Sequence, residues 1–250
     1  MRRPLLLASA LLLLGAAAPS AAPAPTPAPT AEPAKNRVAV LYFEYTGKNE
    51  DLFVLRKGLA QMLATDLANS GQISVVERMR LQEILDELKL TQSRKFDPST
   101  TARLGKLLGV HYLVMGHFYE TKGTFVVQAQ TTDAETGEHK GDVYVAGKSD
   151  DFLELEQKIA TRLIEKISKL VPPATSTPAQ TGSSATPPDP SASPKASPQK
   201  LAVQTVVKYS KALDALDRKD REAAKKELES VVKEQPDFKL AASELAALML

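Results

Sequence analysis

The sequence contains no cysteine. The absence excludes disulfides, thiolate metal sites and cysteine nucleophiles. We also expect no lipid anchor, because the lipid of a bacterial lipoprotein is attached to a cysteine. An exported protein of this kind is expected in the periplasm or associated with the outer membrane of a Gram-negative-type bacterium.

The apolar run near the start of the chain is too short to span a membrane. Residues 5–18 are 14 apolar or small residues that follow Arg2 and Arg3, whereas a membrane helix needs about 20. A positive start, a short apolar run and small residues near Ser20 are typical of a secretory signal. We therefore predict a signal peptide over residues 1–20 with export of the mature chain; a short membrane anchor is the alternative.

The chain also has no excess of charge of one sign. Its formal net charge is +2, and residues 35–171 contain 19 basic and 19 acidic side chains. Nucleic-acid binding needs a cluster of cations that neutralises phosphates. Nucleic acid is therefore not an expected partner.

Known catalytic motifs are missing. The Gly-x-Ser-x-Gly elbow and the His-Glu-x-x-His helix do not occur, and Gly47-Lys48 lacks the other residues of a phosphate loop. His111 and His117 lie too far apart along one predicted strand to share a metal. Glu77-Arg78 is interpreted as a pair that fixes a strand-to-helix turn. We predict no catalytic residue, metal site or cofactor, and no enzyme activity. A hydrolase with unrecognised catalytic residues is the least favoured of the alternative functions.

Prolines mark the boundaries of the predicted folded domain. Of 17 prolines, six lie in residues 19–33 and eight in residues 172–198. The Ala/Pro/Thr composition of residues 21–36 predicts an extended spacer. Residues 171–200 are predicted to be a disordered linker, because they cannot bury enough apolar surface to offset the entropy of ordering.

Residues 37–170 are predicted to form one α/β (α+β) domain. The apolar run 38–43 indicates a strand buried on both faces, and apolar stripes at helical spacing indicate helices. Residues 110–120, 124–133 and 138–147 alternate with period two and are joined by short glycine turns, so they indicate consecutive strands. The predicted order is βαβααβββα. It favours a mixed sheet packed by about four helices.

Several short stretches of this domain occur in a recognisable order. They are Arg37 to Leu41 before a helix with Gly58-Leu59-Ala60, then Val75 to Arg78, Leu107 to Gly116, and Asp133 to Glu138. In this order they resemble the CsgG-like family, named for curli production assembly and transport. The amino-terminal domain of TolB-type periplasmic proteins shares much of the pattern. The resemblance spans Arg37 to about Leu170 and implies an envelope protein of outer-membrane assembly or secretion, often oligomeric. The lipidated cysteine of the curli channel is missing here.

Residues 201–250 predict a separate α-helical hairpin that resembles one tetratricopeptide repeat. One repeat cannot bury its own apolar faces. The tail is therefore expected to dock on the domain, to pair with another copy or to become ordered on a partner. Its candidate partner-binding residues are Tyr209, Leu213, Leu216, Leu228 and Phe238.

Together these features favour a non-enzymatic, exported envelope protein. It would be a CsgG-like periplasmic assembly or interaction module with a tethered, protein-binding helical tail. Other envelope proteins or a second copy are the expected partners, with no membrane span after signal cleavage. The alternative is a subunit of a curli-type outer-membrane secretion assembly.

Overall fold

The structure is a computed structural model, and it describes residues 37–90, 98–170 and 200–250. The predicted signal peptide (1–20) and spacer (21–36) lie outside the described residues. So does the predicted linker (171–200), except for its last residue.

Six strands form one mixed sheet. They are β1 (Arg37–Val40), β2 (Glu44–Tyr45), β3 (Ser74–Val75), β4 (Tyr112–Thr121), β5 (Thr124–Asp133) and β6 (His139–Lys148). The order across the sheet is β3-β1-β4-β5-β6, and β2 pairs with β4. β1 runs parallel to β3 and β4, whereas β4, β5 and β6 are antiparallel neighbours. The predicted mixed sheet is confirmed.

Four helices pack on the sheet and three form the tail. The first set is α1 (Leu55–Asn69), α2 (Arg78–Glu87), α3 (Pro98–Leu108) and α4 (Phe152–Leu170); the tail set is α5 (Val203–Asp217), α6 (Arg221–Glu234) and α7 (Lys239–Leu248). The four helices predicted for the domain are confirmed. No helix in the described part of the chain is long and apolar enough to cross a bilayer.

The strand β1 divides the core into two layers. Val38 and Val40 belong to the cluster formed with α1 and α4, whereas Ala39 and Leu41 belong to the cluster formed with α2 and α3. Successive side chains of a strand point to opposite faces, so both faces of β1 are covered. This burial explains why the run 38–43 is almost entirely apolar.

Two tight turns connect the antiparallel strands. Lys122 and Gly123 have φ angles of 50° and 74°, as the twist of a two-residue hairpin requires. In the next turn the Asp133 carboxylate accepts hydrogen bonds from the backbone N–H groups of Glu135 and Thr136, both at 2.9 Å. The Asp-x-x-x-Gly stretch found in the sequence is therefore a turn that the aspartate itself closes.

The outer edge of β6 is partly occupied by side chains of α4. Arg162 donates from Nη1 to the carbonyl oxygen of Tyr144 at 2.6 Å, and Lys166 donates from Nζ to that of Asp142 at 2.5 Å. Both carbonyls point away from β5. The N–H of Ser149 donates to the carbonyl oxygen of Gly123, and hydrogen-bonded pairs recur at every second residue of an antiparallel ladder, so that residues 147, 145 and 143 face β5 and residues 144 and 142 do not. The exposed edge therefore carries two cations.

The tail docks on the domain, which is one of the three arrangements that the sequence left open. Val206, Tyr209 and Leu213 of α5 are buried in the same cluster as α1 and α4. The N–H of Phe152, at the start of α4, donates to the carbonyl oxygen of Leu201 at 3.0 Å. A third helix, α7, extends the predicted hairpin. The tail is not detached, because its helices bury their apolar faces in the same cluster as α1 and α4.

Candidate functional site

The contact between α1 and α5 depends on a glycine. A Cβ atom at Gly58 would lie 2.0 Å from the hydroxyl oxygen of Ser210. Ser210 is fully buried, and its hydroxyl donates to the carbonyl oxygen of Val206 at 2.7 Å. A side chain at position 58 would force the Ser210 hydroxyl to give up its place or the two helices to move apart. Gly58 therefore permits the close contact between tail and domain, whereas the sequence presented it only as part of a family-like motif.

Four charged side chains cross the boundary between domain and tail, and we call them the charge cluster. They are Lys57, Arg78, Asp214 and Asp217. Lys57 Nζ lies 2.8 Å from Asp214 Oδ1 and 2.7 Å from Asp217 Oδ2, and Arg78 pairs with the other oxygen of Asp217. The side chains of Asp217, Arg78 and Lys57 are only 5%, 7% and 14% exposed. Because buried charges must be paired, these bonds fix how α5 sits on α1 and α2.

Arg78 keeps its positive charge within the charge cluster. Burial would lower the pKa of Arg78, but the charge of Asp217 and the hydrogen bond to it, with a contribution from the charge of Glu244, outweigh burial and leave the pKa raised. Burial also raises the pKa of Tyr42, and Asp217 raises it further. The Tyr42 hydroxyl donates to Gln82 Oε1 at 2.7 Å. Neither group is suited to exchange a proton near pH 7, so the arrangement holds helices together.

An open groove lies beside the charge cluster, and we call it the seam groove. It has a volume of about 350 Å³, at the lower end of the range for ligand pockets in proteins. The start of α2 forms one wall and the tail helices form the other. Its lining is formed by Gln61, Glu77, Arg78, Met79, Leu216, Glu244, Ala247 and Leu248.

The lining of the seam groove combines apolar surface with unpaired acids. Met79 is 52% exposed and Leu216 and Leu248 are partly exposed. Glu77 and Glu244 form no ion pair with any described residue. The neighbouring Arg78 pairs with Asp217, and the charge of Glu244 also raises the pKa of Arg78. The groove is therefore suited to an apolar side chain that has cations beside it.

Of the five predicted partner-binding residues, only Leu216 lines the seam groove. Tyr209, Leu213 and Leu228 are fully buried and Phe238 is nearly so. Tyr209 and Phe238 make an edge-to-face ring contact with centroids 5.1 Å apart. The four buried residues contact this same chain. Their role in partner binding stays a prediction, and it would require the tail to leave its place.

The sequence did not single out the acids and the methionine of the groove. Glu77-Arg78 was noticed, but as a pair that fixes a local turn. In the structure Arg78 bonds Asp217 of the tail instead, which leaves the carboxylate of Glu77 for the groove. Nothing in the sequence around Glu77 and Arg78 indicated that Arg78 would bond Asp217, which lies 139 positions further along the chain.

No group of histidine, aspartate and glutamate side chains within the described ranges is arranged to hold a metal ion.

One family profile matches the chain. Residues 29–122 match the family described as Curli production assembly/transport component CsgG. This segment is CsgG-like. The resemblance predicted from the sequence is thus confirmed up to the turn between β4 and β5, and the remainder of its predicted span, to about Leu170, lies beyond the match.

Several solved structures resemble the chain at low identity, and no curated protein matches it. The LpoB C-terminal domain from Salmonella enterica has 19% identity over 46% of this chain and 84% of its own, with a TM-score of 0.37. Lipoprotein GNA1162 from Neisseria meningitidis has 13% identity over 52% and 96%, with a TM-score of 0.42. TolB from Acinetobacter baumannii has 15% identity over 55% and 28%, with a TM-score of 0.35. Similarity at this level assigns no function.

Proposed function

We propose that this chain is a non-enzymatic protein of the Gram-negative envelope, exported to the periplasm, where it acts as a CsgG-like assembly or interaction module. The observation that carries the proposal is the docked tail. Together with α2 it forms the seam groove, a surface that neither part has alone. The protein-binding surface is therefore composite, and the tail contributes to it while it is docked.

The chemistry of the site supports binding over catalysis. Its buried charges are committed to one another across the contact between tail and domain. The groove beside them offers exposed apolar atoms and carboxylates, which are features of a contact surface for another protein. The match over residues 29–122 supports a role in the assembly of envelope structures.

A second candidate is a subunit of an outer-membrane secretion or transport assembly. The observation that favours it is the description of the matching family as a curli assembly and transport component. In that role the module would be found with the outer membrane in large complexes. Sedimentation of membrane extracts separates the two candidates, since an assembly factor would leave most of the chain in the soluble fraction.

The proposed function can be tested in living cells with a photoreactive amino acid at position 79. Met79 is exposed on the rim of the groove, so a reactive group at this position would meet whatever the groove binds. We expect the chain in the periplasmic or outer-membrane fraction, with crosslinks from position 79 to outer-membrane assembly proteins. The matched control carries the same group at Tyr144, which is equally exposed but lies on β6.

Recovery of the chain from the cytoplasm would contradict the proposal. Crosslinking of the same set of proteins from positions 79 and 144 would also contradict it. Such a result would indicate random collisions, which do not distinguish the groove from the surface of β6.

A further inference from the structure

One half of the sheet has a face that no helix of the described chain covers. The inner face of β4, β5 and β6 carries Phe118, Val127 and Val145, which belong to the cluster formed with α1 and α4. On the opposite face, the cluster formed with α2 and α3 reaches along β4 only as far as Met115. Val126 points to that opposite face and belongs to neither cluster. The outer face beyond Met115 is therefore open.

The side chains on this side lie in rows across three strands. In the antiparallel register His117 is opposite Gln128, and Gln128 is opposite Tyr144. Strands lie about 4.8 Å apart and alternate residues of a strand about 6.7 Å apart, so the rows form a flat patch of roughly 10 by 13 Å. We call this patch the open face, and its members are His117, Tyr119, Val126, Gln128, Gln130 and Tyr144.

The polar side chains of the open face have their hydrogen-bonding capacity unused. Among the described residues, the side chains of His117, Gln128 and Gln130 form no hydrogen bond or ion pair, and neither do the hydroxyl groups of Tyr119 and Tyr144. Tyr144 is 56% exposed, more than any other phenylalanine or tyrosine of the described chain. Amides, tyrosine hydroxyls and imidazoles can each donate and accept hydrogen bonds. The open face therefore offers donors, acceptors and an aromatic ring side by side.

The open face contains no aspartate, glutamate, lysine or arginine. Charged side chains stand at its margins, with Glu44 beside His117 and Asp142 beside Gln130. Nucleic acids and anionic lipids are attracted by clustered cations, which this face lacks. A protein interface has an apolar centre, whereas the apolar member of this face, Val126, is only 7% exposed. The complementary ligand is therefore uncharged and rich in hydrogen-bonding groups.

We propose that the open face binds a neutral polysaccharide. Sugar hydroxyls donate and accept hydrogen bonds, as the amides of Gln128 and Gln130 do, and the C–H side of a sugar ring packs on an aromatic ring such as that of Tyr144. The faces of sheets bind oligosaccharides in other folds. The open face is formed by β4, β5 and β6, whereas α2 and the tail form the seam groove. One chain can therefore hold a glycan and a protein at the same time.

Nuclear magnetic resonance titration of the isotope-labelled full chain tests the proposal. The probes are short neutral oligomers of N-acetylglucosamine and of glucose. With at least one of them we expect saturable shifts of the side-chain amide signals of Gln128 and Gln130. Gln128→Ala and Tyr144→Ala should each lower the affinity about tenfold, because each removes one polar or ring contact with the sugar. Gln128→Glu, which keeps the shape of the side chain but lacks the amide donors, should also bind weakly.

The matched controls are Gln157→Ala and Phe53→Ala, which remove an exposed amide on α4 and an exposed ring before α1. Both should bind the oligomer as the unaltered chain does. Circular dichroism verifies that all variants are folded.

The absence of saturable shifts with both neutral oligomers would overturn the proposal, as would normal binding by the three variants of the open face. Stronger shifts of the same amides with dextran sulfate, an anionic polymer, would show that the ligand is not neutral. Specific crosslinks from position 144 to one envelope protein would assign the face to a protein and likewise overturn the proposal. The titration needs no envelope protein, so glycan binding and the proposed function can fail separately.

Discussion

Glu156 is a buried acid with no cation beside it. Its side chain lies on α4 and is 1% exposed, and its Oε1 atom has no hydrogen-bond partner within the described residues. Burial raises the pKa of Glu156 well above the ordinary value, and the charge of Asp66 on α1 raises it further. Burial also raises the pKa of Asp66. The folded protein therefore binds a proton at this pair when the unfolded chain has lost it.

The pair makes stability depend on pH in a defined direction. A carboxyl group whose pKa is raised by folding stabilises the fold at pH values below its unfolded pKa, about 4.3 for glutamate, and this contribution is lost as the pH rises through the folded pKa. We expect Glu156→Gln to raise the free energy of unfolding at pH 8, because the neutral amide does not have to take up a proton, or bury a charge, when the chain folds. At pH 5 the gain should be smaller. Urea denaturation at both pH values measures the difference.

Glu154→Gln is the matched control, because Glu154 is on the same helix but exposed and paired with Lys158. It should show no gain at pH 8. Equal stability of wild-type and Glu156→Gln at both pH values would show that Glu156 is not held as a buried acid.

The sequence could not have revealed this acid. Phe152, Leu155 and Ile159 mark the buried stripe of α4, and a charged residue beside such a stripe is normally assigned to the solvent side. Glu156 is buried because α1 covers it as well as the sheet. Helical periodicity identifies the apolar face of a helix that packs on the core. It does not indicate that a second element, here α1, packs against a neighbouring face.

At the scale of elements, Gly58 and Ser210 determine how closely α1 and α5 pack. Gly58→Ala should lower the free energy of unfolding by about 1–3 kcal/mol, the usual cost of overpacking, although alanine has the higher helix propensity. Adding Ser210→Ala should restore more than half of the loss, because the nearest atom would then be the Cβ of residue 210, at 3.3 Å. Thermal and urea denaturation of the two single variants and the double variant measure the coupling.

Ser210→Ala alone should be close to neutral, since the hydroxyl bonds only a carbonyl of its own helix. If Gly58→Ala were as stable as the unaltered chain, the close contact between α1 and α5 would not exist as described.

Strands and hairpins were predictable, whereas the position of the tail was not. The period-two segments with glycine turns identify β4, β5 and β6 to within a few residues, because alternation and turn chemistry are local properties. The two-residue β2 was missed, since it is too short to show a period. The apolar faces of α5 and α6 were equally consistent with docking, pairing or binding a partner. Docking depends on contacts such as Lys57 with Asp217, which are distant in sequence.

At the scale of the whole molecule, the domain and its tail share one core. The cluster that contains α1 and α4 continues through α5 and α6 without a break. We therefore expect the full chain to unfold in a single transition. Removal of residues 201–250 should expose the apolar side of α1 and lower the melting temperature by several degrees. Differential scanning calorimetry measures both quantities.

A truncated chain with an unchanged melting temperature would contradict the shared core. The same reasoning disqualifies tail deletion as a test of partner binding, because the deletion would disturb the domain as well. The sequence left the position of the tail open for a clear reason: proline and serine in residues 171–200 separate the two parts along the chain, but separation in sequence does not determine separation in space.

The two cations on the edge of β6 affect how copies of the molecule can meet. A strand that arrived from another molecule would need the outward carbonyls of Tyr144 and Asp142 as acceptors for its own N–H groups. Arg162 and Lys166 already donate to those two carbonyl oxygens. The incoming strand would therefore have to displace both side chains before it could pair with β6. Lateral growth of the sheet is thereby opposed at this end.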